Sequence, residues 1–163
     1  MKIFLRLLLV AVVFAAGVWV WRALHPSPEK AIRKQFAELA DCVSFTEDDG
    51  NFAHLAAADK IGGFFAPEVV IVLDVARGPE AIHGRDEIRD AVNASRRLFG
   101  SMDVEFSGFN VLLAEGNKSA QVGVTARAVI PEQDVMVHEL KCLLKETNGN
   151  WVITRIETVK VLH

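Results

Sequence analysis

Residues 102–162 read MDVEFSGFNVLLAEGNKSAQVGVTARAVIPEQDVMVHELKCLLKETNGNWVITRIETVKVL, and this stretch decides the fold. It divides into four strands joined by three tight turns. Glu115-Gly116-Asn117 and Asn148-Gly149 are residue types that accept the positive φ of short hairpin loops. Between them, Pro131-Glu132-Gln133-Asp134 is a polar turn opened by a residue that cannot donate to a ladder. The segments alternate in polarity. Ala120, Val122, Val124, Ala126, Ala128 and Ile130 share one face, against Gln121, Thr125 and Arg127 on the other. Met136, His138, Leu140, Cys142 and Leu144 likewise oppose Glu139, Lys141 and Lys145. A period of two signals an antiparallel sheet with one covered face.

The first of these strands changes phase. Met102, Val104 and Phe106 have one parity, Phe109, Val111 and Leu113 the other, and Gly108 lies between. An extra residue at a glycine is how a strand bulges, and a bulge bends a sheet. The expectation is an α+β fold whose strongly curved antiparallel sheet presents a concave apolar face, closed by the helices upstream.

Those helices read as follows. Ser27-Pro28-Glu29 supplies a hydroxyl N-cap, a proline at the first helical position and an acid in the first turn. Ile32, Phe36, Leu39 and Val43 then make one apolar stripe. A polar break at 46–51 precedes an alanine-rich helix over 52–61, stopped by Gly62-Gly63. Val69-Val70-Ile71-Val72-Leu73-Asp74 is a buried strand by its β-branched content, and 75–83 an irregular loop. Gly84-Arg85-Asp86-Glu87 opens a third helix with Ile88, Val92, Ser95 and Phe99 on one side.

Ahead of all this, residues 7–21 are uncharged and apolar, preceded by Lys2 and Arg6 and closed by Trp19-Val20-Trp21-Arg22. This N-terminal hydrophobic helix is a signal anchor or a signal peptide, residues 1–28 with their short linker. Trp at the headgroups and a snorkelling Arg22 favour an uncleaved anchor, membrane contact running over residues 3–24. The domain, residues 29–163, is then expected outside the cytoplasm, on the periplasmic side if bacterial, with secretion after cleavage as the alternative. Residues 1–28 hold three basic side chains and no acid, so the remaining fifteen basic groups face twenty-one acidic ones, a net of −6. An acidic body argues against a nucleic-acid partner.

Phe65-Ala66-Pro67-Glu68 before the first strand, Gly84-Arg85-Asp86-Glu87-Ile88 opening the third helix, and Gly149-Asn150-Trp151-Val152-Ile153 entering the last strand carry a resemblance. In that order and spacing, residues 29–162 resemble the nuclear transport factor 2-like superfamily, which includes polyketide cyclases and ketosteroid isomerases. The resemblance implies a cone, the curved sheet wrapping a long N-terminal helix. The polar break resembles that of uncharacterised membrane-tethered bacterial members. A superfold hosts many functions, so this implies no single activity.

In ketosteroid isomerases a cone-lining Asp abstracts a proton, and Tyr with a protonated Asp stabilises the enolate. The resemblance puts Asp74 near the place of the base. Phe36 stands where the Tyr belongs, the chain has no tyrosine, and Lys141 or a neighbour stands where the second acid belongs. His138, on the apolar parity of its strand, reads as a core histidine, with a ligand contact or proton shuttle as the functional alternative. Arg77 and His83 flank the loop after the first strand, as solvated residues or an anion contact. His54 and Asp59 are five apart, and no His-x-x-x-His or Cys-x-x-Cys spacing occurs, so neither metal nor cofactor is expected. Cys42 and Cys142 are either a disulfide or two buried thiols.

Two functions follow as expectations. The first is a non-catalytic, membrane-tethered small-ligand-binding or scaffold domain, homodimeric through the outer sheet face. Phe36, Phe65, Val72, Phe106, Val124, Arg127 and Cys142 would meet a small apolar ligand, or a protein partner would dock instead. Relatives with this layout include an inner-membrane scaffold of type IV secretion machines. The alternative is an isomerase, lyase or cyclase acting on a small apolar substrate, with Asp74 as general base and His138 or Arg127 polarising.

Overall fold

The computed structural model describes residues 12, 14–17, 27–50, 56–57, 59–75 and 78–159. The chain divides into two compact units, Met1–Ala31 and Ile32–His163. In the first, residues 12 and 14–17 are helical, and Val12 and Phe14 are exposed. Most of the apolar run 7–21 lies outside the described residues. Among the described residues no helix is long and apolar enough to cross a membrane. The N-cap reading holds locally, since the Ser27 hydroxyl accepts the Lys30 N–H at 3.4 Å.

The elements are α1 (Pro28–Val43), β1 (Phe65–Val75), β2 (Gly78–His83), α2 (Gly84–Leu98), β3 (Asp103–Leu113), β4 (Ser119–Val129), β5 (Met136–Thr147) and β6 (Asn150–Thr158). The expected stripe on α1 is buried at Ile32, Phe36 and Leu39, with Cys42 rather than Val43 completing it. The alanine-rich helix lies partly outside the described residues; within it 56–57 and 59–61 are helical, and Ile61 is buried.

The six strands form one sheet in the order β2-β1-β6-β5-β4-β3. Two expectations need correction. The loop over 75–83 contains a strand, β2, antiparallel to β1 with Val72 opposite Ala81. Its Gly78-Pro79 start reads as a breaker, yet an edge strand tolerates proline because one row of its N–H groups has no ladder to join. The sheet is also mixed rather than antiparallel, because β1 runs parallel to β6, with Ile71 opposite Ile156.

The bulge is where the change of phase put it. The β3–β4 register shifts between Ser107 and Asn110, and Gly108 sits at φ +63° with space for a Cβ only 3.3 Å from the Thr125 hydroxyl. A second shift, between Leu143 and Leu144, adds curvature in the β5–β6 pair. Phe36 meets Phe106 and Phe109 from either side of the first bulge, edge-on, with centroids at 5.3 and 5.5 Å. Such edge-to-face pairs contribute about 0.5–1.5 kcal/mol each beyond area burial. Polar ties fix the helix alongside. Gln35 Nε2 donates to the Phe64 carbonyl at 3.3 Å, and Arg96 Nη2 donates to the Cys42 carbonyl at 2.9 Å. At the start of α2, Glu87 accepts the His83 N–H at 2.7 Å, reaching back as a capping carboxylate does.

Candidate functional site

Register assigns each candidate residue to a face. One row across the sheet is Ile71, Ile156, Cys142, Val122 and Val111, and it belongs to the covered, concave side. The next row, Val72, Glu157, Lys141, Gly123 and Asn110, belongs to the outer side. Phe36, Phe65, Val124 and Cys142 are buried, and Phe106 is half-buried against Phe36. These five share the concave side. Val72 and Arg127 have the opposite parity, so the seven residues expected to meet one ligand fall on two faces.

Asp74 and His138 are separated in the same way. Asp74 follows Val72 by two residues on an unbroken register with β2, which gives it the outer parity. It is exposed, and its backbone N–H donates to the Thr158 hydroxyl at 3.2 Å. His138 pairs with Ala126 in the concave row that Phe106 begins. It is exposed, which corrects its reading as a core histidine. The β5–β6 ladder runs only as far as Leu140 opposite Thr158, two residues short of His138. His83 is exposed at the N-terminus of α2, while His54 and Arg77 lie outside the described residues.

Among the described residues, no polar or charged residue is buried, and no group of three His, Cys, Asp or Glu could hold a metal ion. Both cysteines are free and buried. Burial pushes the Cys142 thiol up to about 12, and burial is also the largest influence raising Cys42. Neither behaves as a nucleophile at neutral pH, where the thiolate is the reactive form. Phe64 and Trp151 are buried with Phe36 and Phe65, at 7, 8, 1 and 4 % exposure. All four rings are thus withdrawn from solvent.

The outer face is different in kind. Leu112 is 55 % exposed and Leu143 36 %, and both border a groove of about 420 Å³ with Leu113, Gln121, Lys145 and Thr154. Next to Leu143 lies a charged strip. Arg155 Nε bonds Glu157 at 3.1 Å, and Lys141 Nζ stands 3.6 Å from the same carboxylate. The Arg155 hydrogen bond is the main cause holding Glu157 below the usual carboxylate range. A second cleft, about 440 Å³, opens where the end of α2 meets the β4–β5 turn, lined in part by Glu47, Leu98, Phe99, Ile130 and Glu132. Sequence reasoning missed both surfaces. The one available signal was Leu112-Leu113, two adjacent leucines that cannot both face the core of a strand.

No protein-family model matches the chain, and no curated protein matches it. Solved structures do. A candidate scytalone dehydratase from Novosphingobium aromaticivorans is 12 % identical, with 82 % of this chain and 84 % of that one covered at a TM-score of 0.62. A nuclear transport factor 2-like protein of unknown function from Pseudomonas putida is 12 % identical over 85 % of this chain and 90 % of that one, TM-score 0.62. The protein Kfla4162 from Kribbella flavida is 14 % identical over 82 % and 90 %, TM-score 0.64. At such identities the likeness is one of fold.

Proposed function

We propose that this chain, which has the nuclear transport factor 2-like fold, is a non-catalytic scaffold domain. It is held at a membrane by residues 3–24, with the domain outside the cytoplasm, and it works as a homodimer through the outer sheet face. One observation carries the reading. Apolar side chains around Phe36 on the concave side are buried, and no buried residue among those described is polar or charged. Acid–base chemistry in a cone needs a carboxylate or imidazole walled off from water and aimed at the substrate. Asp74 and His138 are exposed and of opposite parity, which speaks against the isomerase, lyase or cyclase alternative.

The outer face supports the binding half of the reading. Leu112 and Leu143 on a groove, beside the Lys141–Glu157–Arg155 strip, give the apolar centre and polar rim of an interface. The tether rests on Lys2 and Arg6 ahead of the apolar run 7–21 and its closing tryptophans. Alkaline extraction of membranes tests it, since release of the protein into the supernatant removes the anchor. Light scattering of the purified chain tests the homodimer, and a monomer persisting at high concentration defeats it. If any turnover of a small apolar substrate were found and Asp74→Asn abolished it, the enzyme alternative would replace the scaffold.

A further inference from the structure

A long strand at the margin of a sheet offers unpaired N–H and C=O groups, and proteins blunt such edges with cover, charge or bulges. β3 is an edge strand of eleven residues. Its first half is protected. Phe45 and Met102 exchange two backbone hydrogen bonds, each 2.9 Å, and the Val104 N–H donates to the Ser44 hydroxyl at 2.9 Å. Asp103 and Glu105 add charge, and at the bulge Arg33 stacks on the Phe109 ring at 5.1 Å and donates to the Phe109 carbonyl at 3.5 Å.

Among the described residues, the protection stops beyond the bulge. The bulge changes which residues turn their backbone outward, from Met102 and Val104 before it to Phe109, Val111 and Leu113 after it. The Ala114 N–H, which donates inward to the Ser119 carbonyl at 2.9 Å, fixes that alternation. Residues 109–114 carry no charge. Leu112 on the outer side is 55 % exposed and Leu113 38 %, and the groove of the outer face runs up to this edge.

We infer that residues 111–113 of β3 pair antiparallel with the same residues of a second copy, joining two six-stranded sheets into one. This rests on the self-association proposed above and moves its contact from the outer sheet face to the β3 edge bordering it. With Leu112 opposite Leu112 of the partner copy, Val111 and Leu113 exchange backbone hydrogen bonds twice about the two-fold axis, four in all. The two exposed Leu112 side chains then meet across a non-hydrogen-bonded pair, where side chains come closest. The same register sets Glu115 of one copy opposite Phe109 of the other, where the Arg33 guanidinium stands. Two acidic bodies thus meet at an uncharged strip flanked by complementary charges.

The test is sedimentation equilibrium of the full-length chain in a non-ionic detergent. Leu113→Pro removes an outward N–H and no ladder bond within the chain. It should weaken dimerisation roughly 30-fold, through loss of two of the four bonds. Arg97→Ala, exposed on α2 and away from the sheet edge, should change it less than about 3-fold. Glu115→Arg should weaken it and Arg33→Glu with Glu115→Arg restore it, which also decides the matter should the proline variant fail to fold. Dimers of wild-type strength in both Leu113→Pro and Glu115→Arg overturn the edge contact. Loss in Leu143→Glu with none in Leu113→Pro overturns it too but keeps self-association, moved to the outer face. A wild-type chain that stays monomeric removes both.

Discussion

Truncating Phe36 to alanine separates a packed cone from an open one. Phe36 is 1 % exposed, and its ring meets Phe106 and Phe109 edge-on at 5.3 and 5.5 Å. Loss of a buried Phe side chain costs about 3–5 kcal/mol, part of it the cavity left by incomplete relaxation. Here the neighbours are rings on either side of a bulge and α1 is tied by Gln35 and Arg96, so collapse is hindered and about 4 kcal/mol is expected. For a unit of this size that corresponds to a fall in Tm of about 10–15 °C. Urea unfolding followed by far-UV circular dichroism measures it, with the slope unchanged and the midpoint displaced. The space left should admit a benzene-sized molecule, whose binding recovers part of the loss. A loss under about 1 kcal/mol at unchanged slope would refute the reasoning. Phe36 would then line a space already open, and ligand binding in the cone would regain its claim.

Other expectations follow from single contacts. Cys142, its thiol held up to about 12 by burial, should not react with a disulfide reagent at pH 8 in the native state, yet react stoichiometrically in guanidinium. Glu146 is held below the usual carboxylate range chiefly by its hydrogen bond with Lys118, then by the Gly149 N–H. Its contribution is therefore present above about pH 4.5 and lost as pH falls through the depressed value. Glu146→Gln should be less stable than wild type at pH 7 by urea titration, with the gap closing as pH falls through the depressed value and shrinking in 1 M salt. Gly108→Ala should cost about 1–3 kcal/mol by the same titration, because φ is +63° and the Thr125 hydroxyl crowds the new Cβ.

What was legible in the sequence was whatever a local pattern encodes. The bulge at Gly108 showed as a change of parity, and the turns at Gly116 and Gly149 as residue types that accept positive φ, which both adopt, at +78° and +83°. Alternation in β4 and β5 separated their faces correctly. The run Val69–Val72 has no alternation, so it could not say that Val72 and Asp74 face away from Ile71. His138 has the parity of the core without its depth, because parity names a face and says nothing of where the neighbouring strand ends. The parallel pairing of β1 with β6 left no trace at all, since nothing in either segment names its partner. The outer groove was invisible for the same reason, being assembled from β3, β4, β5 and β6.

That parallel pairing bears on synthesis. Phe65 lies opposite Ile153 and Val72 opposite Glu157, so β1 leaves the ribosome long before its second neighbour exists. Until β6 emerges it has only short β2 beside it, and its Val-Val-Ile-Val run stays open to other chains. Contacts this distant form slowly and leave aggregation-prone surface exposed meanwhile. A nascent chain stalled before Asn150 should therefore be a chaperone client, and the release of the last strand the moment at which it ceases to be one.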